Sequence, residues 1–349
     1  MQRRTMTPCQ PNPMSRAPVH RSTYVAPPAL RIALAICAVC CAAGGVHAQE
    51  LYVLAGGQRT PELDETSYAY SVVYQHNVAE HAFLSFTWLN EGHVTEHHRD
   101  GFGLQGWLRW LNNSRSFDAA AGVGPYRYYD TTLHPTATTS INDHGFGVLY
   151  SVAVHWYVLA PVVLQARYNR VETSSSISTD TLLLGIGYQF EPGNGPGPTV
   201  PPRSYGFSSP ERNELTLMLG STTVNDFSSP MGTAGVLEYR RMLTPYIEAT
   251  ATAIDEGEAG HVKRRGLAAQ LWAGRRFLDD RAMFGLGAGP YVARDDNEVS
   301  ASTRTLGLLT MSLSYEFSRQ WHGRASWYRT VTTNSRDTDI ILLGIGRQF

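Results

Sequence analysis

The chain has 349 residues, a formal net charge of -1 and 17% charged residues. That balance excludes the basic surface of a nucleic-acid binder and the highly charged, core-poor composition of a disordered chain. All four cysteines, Cys9, Cys37, Cys40 and Cys41, lie ahead of Ala42.

Residues 1–48 read as a signal peptide. Arg3, Arg4, Arg16, Arg21 and Arg31 make a basic start, Ala33 to Ala43 is apolar, and Val46-His47-Ala48 is a small-residue cleavage site before Gln49. The apolar run is too short to span a bilayer, and the long basic stretch is compatible with a start at Met14. The exported chain would carry no cysteine, so disulfides, thiol nucleophiles and cysteine metal sites are excluded from it.

From Gln49 onward the chain is one unit written twice. LLLGIGYQF, Leu182 to Phe190, returns as ILLGIGRQF, Ile341 to Phe349. Asn90-Glu91-Gly92 matches Asp255-Glu256-Gly257, and Gly101, Gln105 and Trp107 match Gly266, Gln270 and Trp272. Gly122-Val123-Gly124-Pro125-Tyr126 matches Gly287-Ala288-Gly289-Pro290-Tyr291. This divides the chain into a first repeat, 49–190, a Pro/Gly-rich linker, 191–213, and a second repeat, 214–349.

Within each repeat the period is two, as in Phe102, Leu104, Gly106, Leu108 and Trp110 against Gly103, Gln105, Trp107 and Arg109. In chain order the first repeat predicts strands near 50–58, 67–76, 81–90, 101–111, 116–129, 144–157, 161–172 and 180–190. The second predicts them near 214–224, 232–242, 245–255, 265–275, 281–294, 304–317, 321–332 and 338–349. Short connections, such as 77–80, 112–115 and 159–161, alternate with long polar ones, 58–66, 90–100, 130–143 and 173–179. That alternation describes an up-and-down barrel with its long loops at one rim.

A soluble β-sandwich would also alternate. Strands of about 9–11 residues, the length that crosses a bilayer when tilted, favour a membrane barrel. So do aromatic residues near strand ends, such as Trp88, Trp110, Tyr129, Trp156 and Trp327. Ile341, Leu343, Ile345 and the terminal Phe349 lie on one face. Together they resemble the C-terminal signature of Gram-negative outer-membrane β-barrel proteins, which the barrel-assembly machinery reads. The resemblance implies an all-β transmembrane fold in the outer membrane, with the long loops facing the exterior. Hydrocarbon itself demands closure, because an open strand edge there leaves backbone groups unsatisfied.

Two tandem eight-stranded barrels are expected, with one fused sixteen-stranded barrel as the alternative. Gln105, Trp107, Gln270 and Trp272 face inward and would fill a small lumen, whereas tryptophans are poorly placed in a water-filled channel.

Candidate sites gather at the long-loop rim: Glu91, Arg99, Arg170 and Asp180 in the first repeat, Glu256, Arg265, Arg329 and Asp339 in the second. The plainer reading is ion pairs holding hairpins in register. The functional reading is contact with lipopolysaccharide phosphates or an exported glycan, for which arginine forks are suited. Strict alternation puts Arg170 and Arg329 on the lipid side. His93, His97 and His98 with Glu91, Glu96 and Asp100 could hold a cation, but the second repeat has Lys263, Arg264 and Arg265 there, and a solvated loop is the better reading. No metal or cofactor is expected. Ser151 and His155 share a strand face at about 13 Å, too far to form a nucleophile–base pair. Lipid A deacylases, which are also eight-stranded barrels, carry a histidine where this chain has Tyr168 to Thr173 and Trp327 to Thr332. The expected protein is a non-enzymatic barrel whose partners are membrane lipids and, during biogenesis, the assembly machinery. A lipid-modifying enzyme and a sixteen-stranded pore are the alternatives.

Overall fold

The computed structural model describes residues 49–133, 140–199, 212–297 and 301–349. The expected leader, and the linker from 200 to 211, lie outside the described residues. The first eight strands are β1 (Gln49–Thr60), β2 (Glu65–Ala79), β3 (Ala82–Val94), β4 (His97–Leu111), β5 (Phe117–Leu133), β6 (Ser140–Leu159), β7 (Val162–Thr173) and β8 (Thr179–Gln189). The second eight are β9 (Asn213–Val224), β10 (Met231–Met242), β11 (Ile247–Ala259), β12 (Val262–Phe277), β13 (Ala282–Asp295), β14 (Ser302–Glu316), β15 (Trp321–Val331) and β16 (Thr338–Gln348).

Every strand pairs antiparallel with its chain neighbours, and each set closes on itself. In the first barrel β8 returns to β1, from Glu50 opposite Gln189 to Arg59 opposite Asp180. In the second, β16 returns to β9, from Gln348 opposite Glu214 to Thr338 opposite Val224. Because β8 pairs with β1 and not with β9, the sixteen-stranded alternative is replaced by two eight-stranded barrels. The repeated GIG run is therefore the closing strand of each. Long-hairpin rim meets long-hairpin rim, His144 with Asp337, and short-turn end meets short-turn end, Phe190 with Phe277, so both barrels point the same way.

Several predicted loops are strands. The expected loop 90–100 is two strand ends joined through Thr95-Glu96, β5 runs past 129 to Leu133, and β6 begins ahead of 144 at Ser140. The outward alternation turns polar there, which hid the ladder, but backbone groups still require partners and find them across the hairpin.

Each barrel carries an apolar outer face and buries charge inside, beside an apolar cluster that includes Leu54, Leu149 and Leu183 in the first barrel and Met218, Ile340 and Leu342 in the second. On the outside, Leu182, Leu184 and Ile186 are 54–65% exposed, and Ile341, Leu343 and Ile345 are 51–68% exposed. Inside, Arg109, Asp118, His155, Arg167, Glu238 and Arg240 are essentially inaccessible. Among the described residues no helix is long and apolar enough to cross a membrane, which has no bearing on strands.

Candidate functional site

The lumens are filled by side chains in layers. At mid-height Trp107 donates its indole N–H to Ser85 Oγ (2.8 Å), and Trp272 does the same to Thr250 Oγ1 (3.0 Å). Gln105 Nε2 donates to Leu149 O (3.1 Å) and Ser151 Oγ (3.0 Å); Gln270 Nε2 donates to Leu308 O (3.2 Å) and Thr310 Oγ1 (3.0 Å). Each indole lies flat on a wall glycine, Gly122 or Gly287, where any Cβ would collide with the ring. The recurring Gly-x-Gly-Pro-Tyr motif thus supplies the wall against which the tryptophan packs.

The charged layers differ between the barrels. In the first, Arg167 donates to Asn169 Oδ1 (2.7 Å) and Gln105 Oε1 (2.5 Å) and lies over Trp107. Below it Asp118 accepts from His155 Nδ1 (2.5 Å) and Tyr157 OH (2.9 Å) and faces Arg109 at 3.5 Å. Ser151 and His155 therefore engage separate partners. In the second barrel Arg240 bridges Glu238 (2.9 Å) and Glu248 (2.8 Å), and Arg324 bridges Glu214 and Glu238, both at 2.6 Å.

At the rim the two barrels share one device. A bulge in β3 sets Glu91 and Gly92 against a single residue of β4, Arg99. Gly92 takes φ +66°, and its N–H is capped by Asn90 Oδ1 at 3.0 Å. This is the geometry glycine supplies in a β-bulge. β11 repeats it, with Gly257 at φ +66° and its N–H capped by Asp255 Oδ1 at 2.9 Å. The Asn/Asp-Glu-Gly repeat is therefore a bulge that aims a glutamate into the lumen. Glu91 meets Arg99 through two 2.7 Å contacts and accepts from Tyr126 OH (2.9 Å) and from Thr179. Glu256 meets Arg264 at 3.2 Å and accepts from Thr338 Oγ1 at 2.6 Å.

This corrects one expected site. The counterpart of Arg99 is Arg264, not Arg265: counted from the Gly101/Gly266 pair the two align, and both point inward. Arg265 points outward, is largely exposed, and pairs with Asp296 at 3.4 Å. Alternation from Gly266 was the signal that could have found this.

Arg170 and Arg329 also part company. Arg170, on the outer wall, reaches Asp180 Oδ1 (3.2 Å) and Glu172 (2.9 Å), with 40% of its side chain exposed. Arg329 is expected on the lipid side but is buried: it faces the first barrel, 2.5 and 2.6 Å from the carboxylate oxygens of Asp100, with Asp339 3.8 Å away. Alternation sets the outward direction of Arg329; a neighbouring barrel covers it. Sequence reasoning missed this seam. Trp88 Nε1 donates to Asp100 Oδ2 (3.1 Å), Trp88 packs on Trp327, and Arg329 lies over Tyr129. Nearer the rim, His144 contacts Asp337 (2.7 Å) and Asn142 Nδ2 donates to Asn225 O (2.7 Å).

The expected histidine cluster divides among other partners. His93 stacks on His98, His98 packs on Phe227 of the second barrel, and His97 contacts Asp130 at 2.7 Å. Glu91 points away into the lumen. Among the described residues no group of three or more His, Cys, Asp or Glu side chains could hold a metal ion. In the matching turn of the second barrel, burial and the nearby Arg336 guanidinium push the His261 imidazole below its ordinary pKa.

No protein-family model matches the chain, and no curated protein matches it in sequence. Solved structures do resemble it. The N-terminal β-barrel domain of Pseudomonas aeruginosa OprF is 11% identical, with a TM-score of 0.34, over 42% of this chain and 99% of that one. Neisserial surface protein A is 12% identical, with a TM-score of 0.34, over 41% of this chain and 96% of that one. Ail, the attachment invasion locus protein of Yersinia pestis, is 10% identical, with a TM-score of 0.33, over 41% and 99% respectively.

Proposed function

We propose that this chain is a sealed, non-enzymatic outer-membrane scaffold of two barrels, with its extended hairpins outside the cell and its outward rim arginines on lipopolysaccharide phosphates. The observation that carries the membrane reading is the apolar outer face of two closed barrels that bury charge inside and point the same way. A soluble protein does not leave continuous apolar bands around its circumference, whereas hydrocarbon requires them and requires closed edges. Ion-paired, tryptophan-filled lumens favour a scaffold over a pore. Ser151 and His155, each bound to other groups, offer no nucleophile–base pair to a lipid-modifying enzyme.

For the ligand, Arg170 and Arg265 are the candidates. Both are outward and exposed at the rim, where an arginine costs little, and a phosphate there would gain charge-assisted hydrogen bonds. Arg329 leaves this set because it is buried in the seam between the barrels, against Asp100.

The test is made on outer membranes from cells expressing the full chain. The protein should fractionate with the outer membrane, migrate heat-modifiably, give no conductance steps in planar bilayers and leave the lipid A mass spectrum unchanged. Recovery in the soluble periplasm would overturn the membrane reading. Conductance steps or modified lipid A would replace the scaffold by a pore or an enzyme. The double variant Arg170→Ala, Arg265→Ala should retain heat-modifiability yet co-purify with several-fold less lipopolysaccharide; equal retention removes the phosphate contact.

A further inference from the structure

The two barrels touch at the rim, through Asp100 and Arg329, and again at the short-turn end, where Phe190 stacks on Phe277 at 4.8 Å. Between these contacts their walls separate around a narrow, open-mouthed cleft of about 90 Å³. Leu84, Phe86 and Leu104 line it from the first barrel, and Ala273, Phe284 and Leu286 from the second. These are outward side chains, part of the apolar band. Toward the short-turn end the lining turns polar, with His76, Tyr246 and Arg275. Arg275 lies over the Tyr246 ring and is ion-paired with Glu191, at the start of the linker.

We propose that this cleft holds one glycerophospholipid of the leaflet facing the short turns, an acyl chain between the barrels and its headgroup on the Arg275–Glu191 pair. The proposal rests on the reading that the apolar band lies in a membrane. There the cleft cannot stay wet, because its walls offer water too few polar partners. The fluid that surrounds it is acyl chain, which fills an apolar gap without losing hydrogen bonds. Small-molecule sites are likewise mostly apolar with a few placed polar groups. The polar end also selects a headgroup. A phosphate suits the Arg275 guanidinium, whose planar fork binds it in charge-assisted fashion. An amine suits the Glu191 carboxylate. A zwitterionic phosphatidylethanolamine presents both. The lipid then acts as a third packing element of the inter-barrel seam, below the Asp100–Arg329 contact.

The experiment uses the full chain, purified in mild detergent and supplied with phosphatidylethanolamine bearing a photoactivatable diazirine in one acyl chain. After irradiation, cross-linked peptides are mapped by mass spectrometry. The expected result is labelling concentrated on β3, β4 and β13 at the cleft. It should fall at least tenfold in Leu286→Trp, which fills the cleft, with heat-modifiable migration retained. Arg275→Gln should keep the labelled positions but reduce retention of the lipid through detergent washes. Should Leu286→Trp fail to fold, competition by unlabelled phosphatidylethanolamine, but not by detergent of matched chain length, is the same test on the native chain. Labelling spread evenly around the band, or unchanged in the filled variant, overturns the cleft site alone. A chain that fractionates with soluble proteins overturns both it and the membrane reading.

Discussion

Arg329 of the second barrel sits 2.5 and 2.6 Å from the two carboxylate oxygens of Asp100 of the first, and both side chains are nearly inaccessible. Two outward-facing charges near the rim, both buried in the seam, are held chiefly by each other, with the Trp88 N–H on Asp100 and Asp339 3.8 Å from Arg329 as further partners. The pair therefore ties the tandem together and sets its register. Removing one partner of such a buried pair costs about 3–5 kcal/mol, because the other charge is left uncompensated. Arg329→Met and Asp100→Asn should each lower the temperature at which the protein loses its compact gel migration. The double variant should lose much less than the sum. Additive losses in that cycle would show that the two side chains do not share one interaction.

The bulge glycines are the second point of test. At Gly92 a Cβ would meet the Tyr68 carbonyl, and at Gly257 the Thr233 carbonyl, in both cases on a backbone at φ +66°. The left-handed backbone alone costs an L side chain about 1–2 kcal/mol, and the collision adds to it. Gly92→Ala and Gly257→Ala should each destabilise the protein by about 2 kcal/mol or more. Gly106→Ala, where a Cβ meets nothing within 4 Å, is the control and should be close to neutral. Thermal unfolding in detergent distinguishes them.

Phe349 should affect assembly without affecting stability. Its backbone N–H and carbonyl pair with Asn213, but its side chain is largely exposed. Phe349→Ala should leave the melting of folded protein within about 0.5 kcal/mol of the parent. Its yield in the outer membrane should fall, because the assembly machinery loses the terminal aromatic. A normal yield would remove the assembly role, and a large loss of stability would make the ring structural.

Residues 49–190 should fold without the second repeat, since β8 closes on β1 within that span. Expressed with a leader, this half should show heat-modifiable migration. Asp100→Asn should improve its recovery, because the lone half leaves that outward carboxylate without Arg329. Aggregation of the half under conditions where the whole chain folds would mean that the seam is needed for closure.

Period-two alternation, the twofold repeat and the length of the runs were enough to read the all-β tandem architecture and the inward direction of Gln105, Trp107, Gln270 and Trp272. Side-chain direction in a strand follows from parity alone, so a single anchor orients a whole run. Parity also decides Arg264 over Arg265 once Gly101 and Gly266 are aligned. The bulge was half legible: Asn90-Glu91-Gly92 and Asp255-Glu256-Gly257 stood out as repeats, but nothing local said that a glutamate would be set opposite an arginine in the lumen. The partner of Arg329 was not legible at all. Outward from a barrel means toward lipid or toward another barrel, and that choice belongs to surfaces far apart in sequence. Only the docked tertiary structure joins Asp100 to Arg329 and opens the apolar cleft beneath them, because two curved walls that meet at both ends must part between.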